Sequence, residues 1–249
     1  MKARSIGFSE INASISARLF TVIGKSKTLI TCYRDDHVEG TFSKIDHALT
    51  FLNTESDSGM ANLYIINKAL HKKAGFLQKN EQGQFEEYGW GSEVRGVGSK
   101  DPGAVRGDRV DLLIIDEAGS NPVLTTTFVQ GQELVEIQGV PRGTIMLGGT
   151  GGDKGANLAG LRKIYENPKA FKVLPYRHNM TPDGTTVETG FFIPYYEQAL
   201  LPEFKAGRGL VKIEEYKKYL QEERDNLLSD PENYQKKCAE RCWTAEEAF

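Results

Sequence analysis

The sequence predicts an α/β fold: a mostly parallel sheet flanked by helices, closed by a small helical lobe. Three observations predict it. Strand and helix patterns alternate up to about residue 176, the order expected when parallel strands are joined by helical crossovers. Asp111-Leu112-Leu113-Ile114-Ile115 is a continuous apolar run ending in acids, which suits a central strand covered on both faces. Beyond residue 177 the chain turns loop-rich, with Pro182, Pro194 and Pro202, and then becomes a charged helical pattern.

The elements follow in order. Residues 10–23 carry Ile11, Ile15, Leu19, Val22 and Ile23 at three- and four-residue steps, a helical face that Gly24 ends. Thr28 to Tyr33 reads as a buried strand and Asp36 to Leu52 as a helix. Residues 60–78 are expected to be helical, 80–91 a turn or loop, and Ser92 to Gly98 a strand. The apolar run 111–115 is the next strand, and residues 123–137 form a helix after Asn121-Pro122. Thr144 to Leu147 is a short buried strand feeding a glycine-rich turn, Gly148 to Gly155, and a helix from about Asn157 to Glu166. Phe171 to Leu174 is read as a strand, residues 211–229 as an amphipathic helix, and a short helix follows Pro231. The expected division is a core over 1–179 and a helical lid or linker lobe over 180–249.

Composition narrows the function classes. The 249 residues carry a formal net charge of −3, with 39% hydrophobic and 26% charged residues, an ordinary globular balance. The near-neutral charge gives no global pull toward nucleic acid, so any such contact needs a local patch. Lys68, His71, Lys72 and Lys73 form one small basic cluster, read as a solvated helix face that could also touch phosphates. Cys32, Cys238 and Cys242 make no disulfide framework, and the last two read as packed or idle thiols rather than a zinc site. No run approaches a membrane span, and Met1-Lys2-Ala3-Arg4 has no apolar segment behind it to make a secretory signal. His37, His47, His71 and His178 are scattered, with no metal-ligand spacing.

Three stretches could carry chemistry. Leu112 to Ala118 is an apolar strand ending in Asp116-Glu117, the Walker B arrangement of nucleotide hydrolases. Ligands bind at the carboxyl ends of strands in open α/β sheets. There the first acid can hold Mg²⁺ and the second polarise an attacking water. The same run also fits a buried strand that exits into solvated acids. The second stretch is Lys2-Ala3-Arg4-Ser5-Ile6-Gly7-Phe8-Ser9. Gly7 and Ser9 fall where a phosphate loop needs them, but Phe8 holds the usual lysine position and Lys2 stands where the first glycine should be. The backbone of residues 4–9 could cradle phosphates above the following helix, Lys2 could reach the phosphates from the loop's start, and Ser9 could ligate Mg²⁺. Arg4 could contact the γ-phosphate. The bland reading is a basic tail before a helix. The third stretch, Leu147 to Gly152, places Thr150 after a buried strand, where it could sense the γ-phosphate or simply sit in a glycine-rich turn. Their order, loop–helix, strand–acids, strand–threonine, predicts one phosphate site.

The motif Lys-x-Arg-x-x-Gly-Phe-Ser resembles the deviant Walker A of viral terminase large subunits, where the lysine moves to the front of the loop. Gly91 to Gly96, Ala104 to Asp108 and Asp111 to Ala118 resemble that family's run into Walker B, and Gly149-Thr150-Gly151 its coupling motif. Pro231-x-x-Tyr234, Glu240 and Thr244 to Phe249 are similar to the close of its ATPase region. The resemblance covers nearly the whole chain. It implies a P-loop (RecA/ASCE-like) ATPase that uses ATP and Mg²⁺ to drive double-stranded DNA into a procapsid. It also implies a homo-oligomeric ring on the portal protein, a small terminase subunit as partner, and a place in the host bacterial cytoplasm. Lys2, Arg4, Ser5, Ile6, Gly7, Phe8, Ser9 and Thr150 would bind nucleotide, and Ser9 and Asp116 the metal. Glu117 would be the catalytic base and Arg4 an arginine finger, which relatives supply in cis or in trans. The family's strand before the phosphate loop and its nuclease domain have no counterpart here, so the chain is expected to be a fragment with a poorly anchored loop. A helicase-like nucleic-acid-dependent ATPase and an ATPase-inactive assembly fragment are the alternatives.

Overall fold

The computed structural model describes residues 1–3, 6–57, 59–60, 62–107, 109–151, 158–179, 181, 183–199 and 201–249, the Arg208 side chain apart. By contacts the chain forms two units, Gly7–Ala118 with Val123–Leu147, and Met1–Ile6 with Gly119–Pro122 and Gly148–Phe249. The expected division near residue 179 follows sequence position, whereas these units each gather separate stretches of chain.

The larger unit begins with α1 (Phe8–Val22), β1 (Lys27–Cys32) and α2 (Asp35–Thr54). Then come β2 (Tyr64–Lys68), β3 (His71–Ala74), β4 (Phe76–Lys79), β5 (Phe85–Tyr88), β6 (Glu93–Gly98) and β7 (Leu112–Ile115). It ends with α3 (Leu124–Val135), the short pair β8 (Glu136–Ile137) and β9 (Val140–Pro141), and β10 (Thr144–Leu147). Six strands form one sheet in the order β10-β7-β1-β6-β3-β2. The strands β10, β7, β1 and β6 are parallel, and β3 and β2 are added antiparallel. This is the mixed α/β, mostly parallel sheet that the alternating pattern predicts.

Register explains the core. Ile30 pairs with Ile114 and with Gly96, so alternate residues of three strands share a face. Ala13, Ala17 and Phe20 of α1 and Phe42, Ile45 and Leu49 of α2 cluster with Ile30, Val94 and Ile114 on that face. The opposite face of β7 meets α3: a methyl at Gly131 would stand 2.4 Å from Leu113 Cδ2. All four residues of β7 are therefore buried, as its unbroken apolar run requires.

Expectations for two stretches of the chain, 60–91 and 171–174, are overturned. Within the expected helix 60–78, the described residues from 62 onward are not helical but run through β2, β3 and into β4. The helical spacing around Tyr64 and Ile65 is outweighed by pairing with strands further along: β3 aligns His71, Lys72 and Lys73 with Arg95, Val94 and Glu93. Context of this kind routinely overrides local propensity in sheets. The basic cluster is thereby split across two faces. Lys72 is 6% exposed and bonds Asp46 at 2.8 Å and Asn67 at 2.5 Å, while His71 bonds Glu93 at 2.6 Å. It is not a solvated helix face. Residues 80–91, expected as loop, contain a turn and then β5, which pairs with β4. The second reversal is Phe171–Leu174, which is not a strand. Asn167-Pro168 opens a run of turns in which Ala170 N–H donates to Asn167 and Val173 N–H to Pro168. Lys172 sits at φ 54°, a left-handed conformation that no strand accommodates.

The smaller unit comprises α4 (Ala159–Glu166), β11 (Tyr176–His178), β12 (Val187–Thr189), α5 (Ile213–Asp225), α6 (Pro231–Glu240) and α7 (Ala245–Ala248). Its core holds Ala3, Tyr165, Phe192, Tyr195, Tyr216, Leu220, Cys242 and Ala248. Asp230 caps α6 and Thr244 caps α7, each accepting a backbone N–H in the manner of N-cap residues. Cys238 and Cys242 are free, and burial pushes the Cys242 thiol up to about 12. Among the described residues no helix is long and apolar enough to cross a membrane.

Candidate functional site

β7 delivers Asp116 to the carboxyl end of the parallel strands. The ladder continues one residue past the strand, with Asp116 N–H donating to Thr31 O at 3.0 Å, so the side chain leaves from a fixed backbone. Asp116 is 1% exposed, and a carboxylate in that position needs donors. It has three. Ser9 Oγ donates to Oδ2 at 2.7 Å, Thr41 Oγ1 donates to the same oxygen at 3.0 Å, and Glu117 N–H donates to Oδ1 at 2.9 Å. Cys32, at the end of β1, lies within reach of the same charges: burial raises its thiol pKa first, with Asp116 and Glu117 adding to it.

Ser9 arrives from the opposite direction in sequence, on the first turn of α1. Gly7 makes the entry, at φ 80° and ψ 14°, a conformation that costs an L-residue about 1–2 kcal/mol. Among the described residues no side chain caps this helix, and helix N-termini in general favour anions. Phe8 heads α1 directly after Gly7. Glu117 sits at φ 48°. Non-glycine residues in this region cost energy and collect at functional sites.

The smaller unit holds the remaining candidates. Lys2 is 6% exposed, its N–H donates to Gly149 O at 3.1 Å, and Ala3 N–H donates to Ile193 O at 3.1 Å. The backbone of Lys2 is thus tied directly beside Thr150. Ile6 packs on the core of this unit. Arg4 and Ser5 lie outside the described residues, as do residues 152–155 of the glycine-rich turn and residues 156–157, where the expected helix begins. That turn also needs Gly119: a Cβ there would stand 2.1 Å from Thr150 O, a clash with backbone rather than with a movable side chain. Gly119→Ala is expected to destabilise the protein by about 2–3 kcal/mol, measured as a lowered midpoint in urea at unchanged slope.

Of the expected residues, then, the structure joins Ser9 to Asp116 with Glu117 next along the chain, and Lys2 to Gly149 with Thr150 next along the chain. Thr41 went unnoticed in the sequence. Its signal was a hydroxyl on the buried face of α2, in step with Val38, Ile45 and Leu49.

The arrangement suits a hard divalent cation. A serine that donates its proton to a carboxylate keeps its oxygen lone pairs for a metal, and Mg²⁺ takes one or two protein oxygens together with phosphate and water. Among the described residues no cluster of three or more His, Cys, Asp or Glu forms a protein-only metal cage. What the fold and site define is an α/β protein with a hydroxyl–carboxylate pair at the carboxyl end of its parallel strands.

The fold is similar to solved ATPase domains of large terminases. The Thermus phage P74-26 large terminase ATPase domain matches with a TM-score of 0.45 and 16% identity, over 61% of this chain and 58% of that one. An arginine-to-alanine variant of that domain matches with a TM-score of 0.41 and 17% identity, over 61% and 59%. The chain thus spans less than two thirds of either. No family model and no curated protein matches the chain.

Proposed function

We propose that this chain is a terminase-like ATPase that converts ATP hydrolysis into movement of double-stranded DNA into a procapsid. One observation carries the reading: Ser9, from the candidate phosphate loop, donates to Asp116, from the candidate Walker B strand, at 2.7 Å across 107 residues of sequence. A solvated acid at a strand end has no need of such a partner.

In this reading Ser9 and Asp116 hold Mg²⁺, and the backbone of residues 4–9 together with Lys2 receives the β- and γ-phosphates. When bound, Mg²⁺ neutralises charge between those phosphates. Glu117 orients a water molecule and takes its proton as the water oxygen bonds the γ-phosphorus and the bond to ADP breaks, releasing ADP and phosphate. Arg4 adds positive charge at the γ-phosphate, and Thr150 relays phosphate loss to the moving parts. The roles of Lys2, Arg4, Ser5 and Thr150 rest on the motif resemblance. A ring of copies on a portal protein, with a small terminase subunit, is the proposed setting.

The test is steady-state ATP hydrolysis by the chain beside its Asp116→Ala variant. The expected result is magnesium-dependent turnover, lowered by about a hundredfold or more in the variant, the scale on which transition-state charge stabilisation is lost. Turnover no higher than the variant's would favour a docking fragment without ATPase activity. Stimulation by single strands, and not by procapsids or a small terminase subunit, would favour a helicase-like enzyme.

A further inference from the structure

Helical hydroxyls in this protein usually bond back to their own helix. Ser14, Ser16 and Thr21 of α1 donate to the carbonyls of Glu10, Asn12 and Ala17, and Thr54 of α2 donates to Thr50. This is the ordinary local choice for such side chains. Thr41 departs from it. Its hydroxyl leaves α2 and donates to Asp116 Oδ2, 75 residues away, at 3.0 Å. Thr41 is 4% exposed and Asp116 1%, so neither group has ready solvent to replace the other. The bond is also doubled on one oxygen, because Ser9 uses Oδ2 as well.

The two hydroxyls are not equivalent. Ser9 stands on the first turn of α1, just behind the phosphate loop. Thr41 lies on the buried face of α2, between Val38 and Phe42, in a helix packed on the sheet. A hydroxyl so placed has its own position set by the core. Together with Glu117 N–H on Oδ1, it fixes the carboxylate plane from the protein side.

We propose that Thr41 is a positioning residue that holds the Asp116 carboxylate in the orientation that receives the metal, so that metal affinity depends on a hydroxyl at residue 41. The proposal rests on the nucleotide reading given above. Partners of this kind behind a ligand change metal affinity by about 10–100-fold when removed.

The experiment measures binding of manganese(II) in the presence of ADP, from the electron paramagnetic resonance signal of the free ion. It uses the full chain and its Thr41→Val, Thr41→Ser and Asp116→Ala variants, each with a thermal melt. Thr41→Val is expected to bind manganese about tenfold more weakly or worse, while Thr41→Ser binds as the natural chain does. If the valine chain fails to melt cooperatively, Thr41→Ala is read in its place. Valine binding equal to the natural chain overturns the proposal, as does a lowered melting point with unchanged affinity, since a purely structural hydroxyl would give that. Both of those results leave the nucleotide reading intact if Asp116→Ala binds poorly. If the natural chain and Asp116→Ala bind alike, the nucleotide reading itself falls, and the role of Thr41 with it.

Discussion

An Arg224→Met chain is expected to lose about 3 kcal/mol of stability, a drop in melting temperature of about 10 °C. Arg224 is 5% exposed on α5. Its guanidinium grips both oxygens of Glu247, each at 2.9 Å, and also donates to Arg241 O at 2.9 Å. The plane lies over the Trp243 ring, 4.4 Å from its centroid, and the Trp243 backbone N–H donates back to Glu247 at 2.6 Å. One side chain therefore ties α5 to the turn before α7 and to α7 itself. Methionine fills much of the volume but supplies no donor, so Glu247 keeps only the Trp243 backbone N–H of these donors and the Arg241 carbonyl loses the guanidinium. That loss dominates over the value of the pair itself, because breaking one side of a buried pair costs more than never having built it. The low end of the usual range applies because the Glu247 side chain keeps 29% exposure. Thermal melts followed by circular dichroism check this, and an unchanged midpoint would show that the network contributes packing alone.

Glu117→Gln is expected to lower ATP turnover by about 10²–10⁴-fold while ADP binding stays within about twofold, since the amide keeps the shape but cannot take a proton. The substitution leaves the Asp116 donors in place, because the bond from residue 117 to Asp116 comes from backbone N–H. It also leaves φ at 48° equally strained. Single-turnover hydrolysis alongside ADP titration separates the two quantities. Equal losses in binding and turnover would place Glu117 in nucleotide affinity instead of proton transfer.

How much could be read beforehand depended on where the determining partner lay. β7 was legible as a strand because four successive apolar residues suit a strand covered on both faces. The same run ended where Asp116 had to emerge, so the carboxylate was legible with it. Ser9 was singled out by its spacing from Gly7 in a phosphate-loop-like motif, and the structure brings its hydroxyl to Asp116. The hairpin of β2 and β3 was hidden, since the apolar spacing from Leu63 to Ile66 fits a helix and only pairing with β6 decides otherwise. Phe171 to Leu174 looked like a strand by composition, but Pro168 and the conformation of Lys172 coil it into turns. Thr41 was hidden for another reason. A threonine on a helix normally spends its hydroxyl locally, and nothing nearby in sequence announces a carboxylate 75 residues away.

The most direct measurement is a crystal structure of the chain grown with Mg²⁺, ADP and beryllium fluoride. The account predicts a magnesium ion about 2.1 Å from Ser9 Oγ, Asp116 touching it directly or through one water, and the fluoride group facing Glu117. A nucleotide seated elsewhere, with Ser9 still closed on Asp116 and no ion beside it, would contradict the account.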